Sequence, residues 1–174
     1  MDYFYFSRYF CRIQDLKAMD VDRKFLRRAV WLASESVQSG GGPFGAVIVS
    51  EGRMISESGN KVVLLKDPTA HAELLAIREA ARILGNHDLS GCTLYSSCEP
   101  CPMCLGAIYW SGIERIVYAS DRNDAAKAGF SDSDIYREIC LDPAERKIIF
   151  HRINMEGADE AFERWDKLEN RIPY

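Results

Sequence analysis

No stretch of the chain stays apolar for the roughly 20 residues that a bilayer-spanning helix requires. The longest runs, such as Phe44 to Val49, are cut short by glycine or charge, so a membrane span is excluded. Internal repeats and low-complexity segments are also missing, which removes solenoids and disordered tracts. Basic charge is scarce: 22 Lys+Arg against 26 Asp+Glu leave a net charge of −4 and an isoelectric point near 5.4. A broad phosphate-backbone interface calls for the opposite balance, so small-molecule partners are favoured over nucleic acid. What is present is ordinary for a folded protein: 174 residues, 47% hydrophobic and 28% charged, enough for one soluble domain with a packed core.

Cysteine is sparse and uneven. Of Cys11, Cys92, Cys98, Cys101, Cys104 and Cys140, three are compressed into Cys98-Glu-Pro-Cys101-Pro-Met-Cys104. A secreted disulfide scaffold spreads its cysteines through a shorter chain, whereas this spacing signals metal or redox chemistry in a reducing cytoplasm. Cys11, Cys92 and Cys140 are expected to pack as small hydrophobes. Residues 1–19 lack a cationic start followed by a continuous apolar core and make a poor signal peptide. They read either as an aromatic N-terminal arm or as sequence upstream of a true start at Met19, ahead of a domain spanning 20–174.

From Asp20 an amphipathic helix is predicted, with Phe25, Leu26, Ala29, Leu32, Ala33 and Val37 on one side and Gly40 to Gly42 stopping it. Phe44 to Ser50 and Met54 to Ser58, separated by Glu51-Gly52-Arg53, read as a hairpin. A second helix starts near His71, with Asp67-Pro68-Thr69 as its start signal and Gly85 as its end. Cys92 to Ser97, a helix from Pro100 to Trp110, and Glu114 to Ser120 then give strand, helix, strand, the pattern of parallel pairing through a crossover. Signals weaken after Asp121, apart from a last amphipathic segment between Gly157 and Lys167. The whole predicts a three-layer α/β/α sandwich around a central mixed sheet.

Chemistry concentrates at two helix starts. His71-Ala72-Glu73 and Pro100-Cys101-Pro102-Met103-Cys104 match the zinc-deaminase pattern H-x-E … P-C-x-x-C. Cysteines at i and i+3 project from one side of a helical turn, and a helix N-terminus favours thiolate. One imidazole and two thiolates suit tetrahedral zinc and leave a fourth position for water. Glu73, two residues beyond a ligand, is placed to move protons without binding metal. Two readings compete: a closed structural zinc site with Cys98 as fourth ligand, and a redox pair.

Beyond these motifs, Gly42-Pro-Phe-Gly-Ala-Val-Ile-Val, Asp67-Pro-Thr-Ala-His-Ala-Glu, Ser97 to Trp110, Ala128-Gly-Phe-Ser-Asp132 and the terminal Tyr174 resemble the bacterial guanine deaminases of the cytidine-deaminase-like fold, from about Phe25 to the end. Ser131 departs from the acidic residue of relatives, so only Asp132 carries over from that stretch. The resemblance implies a cytidine-deaminase-like fold and one zinc per chain on His71, Cys101 and Cys104. It implies Glu73 as proton shuttle, Asp132 as a second acidic group near the exocyclic amine, and Asn60, Phe44, Ala72, Trp110 and Tyr174 at the purine. It further implies a homodimer in which the C-terminal segment crosses to the partner. Other bases or nucleosides, namely guanosine, cytosine and tRNA adenosine, remain alternatives, as does a silent zinc module.

Overall fold

The computed structural model describes residues 3–173, with side chains from Met19 onward. The chain divides into two compact units, Met1–Asp132 and Ser133–Tyr174. The first is built on strands β1 (Gly45–Ser50), β2 (Arg53–Gly59), β3 (Cys92–Cys98) and β4 (Arg115–Ser120), in the order β2-β1-β3-β4. β1 is antiparallel to β2 and to β3, whereas β3 and β4 are parallel, so the sheet is mixed. The hairpin turn places Glu51 and Gly52 at φ +49° and +73°, a handedness that matches the twist of the flanking strands.

Side chains of the interior strand β1 alternate between two cores, as a period of two requires. Val47 and Val49 meet Phe25 and Ala29 of helix α1 (Tyr3–Gln38), with Tyr95 of β3. Ala46 and Ile48 face the other way, against Ala72, Ala76, Ile77 and Ala80 of α3 (Ala72–Leu84) and Ile108 of α4 (Pro102–Trp110). Helices therefore cover both faces, and the three layers expected from the sequence are present. Gly45 is what lets α1 lie so close: a Cβ there would come within 2.3 Å of the Ala29 carbonyl oxygen.

Several local expectations are revised. α1 begins at Tyr3 rather than near Asp20, because no glycine or proline interrupts residues 3–38. The side chain of Cys11 lies outside the described residues. A single helical turn, α2 (Val62–Leu65), precedes the expected second helix and closes at Lys66 with φ +54°. Asp67 consequently serves a turn: its Oδ1 accepts from the Thr69 amide and hydroxyl at 2.8 and 2.7 Å, while His71 takes the N-cap position of α3. Likewise α4 starts at Pro102 with Cys101 at its N-cap. Cys92 is buried in the core as expected, but Cys140 is exposed.

After β4 comes the short helix α5 (Arg122–Lys127), whose start is fixed by a reciprocal capping box between Asp121 and Asp124. The second unit contains α6 (Ser133–Ile139), a 3₁₀ turn at Pro143–Glu145 and α7 (Glu160–Asp166), the last within the predicted segment. None of its described residues is buried. No helix among the described residues is long and apolar enough to cross a membrane.

Candidate active site

The parallel strands β3 and β4 end side by side, with the Glu99 amide donating to the Ser120 carbonyl oxygen at 2.9 Å. Helices α4 and α5 then start from this edge, which is where open sheets place their ligands. α3 enters from the neighbouring loop, so the N-cap residues His71 and Cys101 are brought together with Cys104, one turn into α4. His71 Nδ1 lies 3.5 Å from Cys101 Sγ and 3.6 Å from Cys104 Sγ, and the three donor atoms all fall within 4.8 Å of one another.

These separations fit a metal. Tetrahedral zinc with bonds of about 2.3 Å to sulfur and about 2.0–2.1 Å to nitrogen sets S···N distances of about 3.6 Å. No other such cluster of metal-binding side chains occurs among the described residues. Cys98 is not part of it: its thiol is directed to the Asp121 carbonyl oxygen at 3.5 Å, and burial pushes its pKa up to about 11. A closed four-ligand site through Cys98 is therefore not formed. Without metal, Cys101 is shifted toward thiolate because the Cys104 thiol donates to it and His71 faces it. The same partnership, burial and the nearby Glu73 carboxylate hold Cys104 as a thiol. A dication favours both as thiolates.

Glu73 is buried beneath the ligands. Its Oε1 accepts from the Ser96 hydroxyl at 3.1 Å, its Oε2 lies 3.6 Å from Cys104 Sγ, and burial raises its pKa. A carboxyl so placed holds a proton more readily than one in water. Around it opens a cavity of about 490 Å³ lined by His71, Glu73, Cys101, Asn60, Phe44 and Asp132 among others. Burial and the Cys101 charge raise the pKa of Asp132 as well. Asn60 Oδ1 accepts from the Gly42 and Val62 amides at 3.3 and 3.2 Å, which fixes the amide orientation and leaves its NH₂ to the cavity. Gly41 lets the Asn60 backbone lie close: a Cβ there would come within 2.3 Å of the Asn60 main-chain oxygen.

Two residues expected at the purine do not line the cavity with their side chains. The Ala72 side chain is fully buried in the core, and Trp110, 68% exposed at the end of α4, is not among the cavity-lining residues. Tyr174 lies outside the described residues. Conversely, Val62, Val63, Glu99, Ala125 and Phe130 line the cavity without having been singled out. Phe130 stands edge-on to Phe44 with centroids 5.0 Å apart, and its signal was its place two residues before Asp132. Helix α2 is too short to have left one.

A mixed sheet whose carboxyl edge carries a His-x-Glu helix start and a Cys-x-x-Cys helix start defines the zinc-dependent deaminase class. The chain belongs to the family of the cytidine and deoxycytidylate deaminase zinc-binding region, whose model matches residues 19–120. It is 51% identical over 151 residues to the guanine deaminase of Bacillus subtilis, covering 86% of this chain and 97% of that protein. It is 48% identical over 96 residues to the tRNA-specific adenosine deaminase of Aquifex aeolicus, covering 55% and 64%. Among solved structures, the Bacillus subtilis guanine deaminase superposes with a TM-score of 0.85 at 50% identity, covering 87% of this chain and 98% of the other. The guanine deaminase from Nitrosomonas europaea gives 0.60 at 35% identity, covering 62% and 63%.

Proposed function

We propose that the chain is a zinc-dependent guanine deaminase, converting guanine and water to xanthine and ammonia. The observation that carries this reading is the extent of the likeness to the Bacillus subtilis guanine deaminase. It runs over 151 residues and so must continue beyond Asp132 into the second unit, whereas the Aquifex tRNA deaminase matches only 96. His71, Cys101 and Cys104 hold the zinc, which when bound supplies the Lewis acidity that makes a water nucleophilic at neutral pH.

Glu73 then takes a proton from the attacking water and delivers it to the ring nitrogen beside C2. A C2–O bond forms, the C2–N bond to the exocyclic amine breaks, and a second proton passed by Glu73 lets the amine leave as ammonia. Asn60 donates its NH₂ to the purine, Phe44 covers a ring face, and Asp132 faces the exocyclic amine. The active form is a homodimer in which the C-terminal segment, with Tyr174, closes the partner's cavity and excludes water. The absence of any buried residue among those described in the second unit supports an additional surface for it. The free thiols of Cys92, Cys98, Cys101, Cys104 and Cys140 suit a reducing cytoplasm.

Ammonia release from guanine, guanosine, cytosine and adenosine in tRNA, measured with metal content, tests the reading. Guanine should be preferred, with about one zinc per chain. Glu73→Gln should keep its zinc and lose at least about 10²-fold in rate. A zinc-loaded chain that deaminates none of the four would be a structural zinc module, and a preference for another substrate would replace guanine.

A further inference from the structure

One part of the cavity wall is made by the segment after β4: Ala125 in α5, then Gly129 to Asp132. This wall carries Phe130 and Asp132, yet no residue of α5 is buried, so core packing does little to fix it. A different device joins it to the metal loop. The Glu99 carboxylate, two residues before the ligand Cys101, accepts from the Arg122 backbone amide at 3.1 Å. It accepts from Arg122 Nε at 3.1 and 3.2 Å, and also from Nη2. The Glu99 side chain is 19% exposed and that of Arg122 48%. A planar guanidinium fork on a carboxylate fixes orientation as well as distance. The Cys98 thiol on the Asp121 carbonyl oxygen lies beside it, and Asp121 itself caps α5.

We propose that Glu99 and Arg122 are a positioning pair that sets the Ala125 to Asp132 wall at a fixed distance from the metal ligands, and so determines how tightly the purine is gripped. Neither residue binds the metal. Because Arg122 occupies the Glu99 carboxylate, the pair presents a neutralised edge to the cavity and leaves Asp132 as the charged group among the wall's cavity-lining residues. A one-ångström drift of that wall is enough to cost about 10²-fold.

The substrate-dependent part of this inference rests on the guanine reading; the structural part does not. Hydrogen exchange on zinc-loaded protein should show faster exchange over residues 121–132 in Arg122→Ala and in Glu99→Gln, with residues 101–110 unchanged and zinc retained. In the same variants KM for guanine should rise about 10–10²-fold with a smaller fall in kcat. Arg122→Lys, which keeps the charge but not the fork, should lie between. The double variant should be no worse than the worse single one. Unchanged exchange over 121–132, loss of zinc, or a fall in kcat at constant KM would each overturn the pair's role. A wild-type chain inactive on guanine sinks the function reading instead, and exchange alone then judges the pair.

Discussion

Asn60 does two jobs with one side chain. Its side-chain oxygen satisfies the Gly42 and Val62 amides and so shapes the loops beside the cavity, while in the proposed reading its NH₂ donates to the purine. Asn60→Asp separates the two, since a carboxylate still accepts from both amides but donates nothing. The variant should fold and hold zinc normally while KM for guanine rises about 10-fold or more, as expected when a donor to substrate becomes an acceptor facing the purine's own acceptor. Unchanged KM would leave Asn60 a loop-building residue only. From the sequence this side chain was indistinguishable from a turn residue, and only a family pattern raised it. By contrast His71, Glu73, Cys101 and Cys104 were legible at once, because metal chemistry demands fixed spacings within a helical turn. Phe130 and Val63 were not: a cavity wall requires only apolar bulk, which leaves no pattern along the chain.

Among the described residues two polar links hold helix α1 to the sheet in addition to its apolar stripe: Arg28 pairs with Glu57 of β2, and Asp22 binds β3 and β4. Asp22 accepts from Arg115 of β4 through both nitrogens at 2.8 and 2.6 Å and from the Tyr95 hydroxyl of β3 at 2.8 Å. The Arg115 bonds hold its carboxyl below the ordinary 3.8, while burial and Asp22 together push Tyr95 up to about 12. A depressed folded-state value contributes stability that is complete above the unfolded value and is lost as pH falls through the folded one. Asp22→Asn should therefore lower the thermal midpoint by about 2–8 °C at pH 7. The gap to wild type should close as pH drops below 3.8, zinc release affecting both proteins alike. A gap independent of pH would mean that packing, not charge, fixes the helix. Legibility at this scale followed length. The β1–β2 hairpin and the β3-α4-β4 crossover show themselves through runs of buried residues and glycine punctuation. α2, α5 and α6 span four, six and seven residues, too few for a helical period to be seen. The extension of α1 to Tyr3 was hidden because the signal used, an apolar stripe at helical spacing, was read only from Asp20 onward.

At the scale of the molecule, the segment after Asp132 poses a physical problem: it exposes Ile148, Ile149, Phe150, Ile153 and Phe162 and contains no buried residue of its own among those described. Apolar area left in water on this scale marks an interaction surface. In the proposed dimer it is met by a second copy, and the chain end then belongs to a site assembled from two chains. Deleting residues 170–174 should leave folding and zinc intact but sharply reduce guanine deamination, because the cavity loses the cover that excludes water. The decisive experiment mixes inactive partners. A Glu73→Gln chain has a damaged site and an intact end; a truncated chain has an intact site and no end. If closure acts between copies, heterodimers of the two regain part of the activity, since one of their two sites combines the intact Glu73 of one chain with the intact end of the other. If each chain closes its own site, verified heterodimers stay as inactive as either parent.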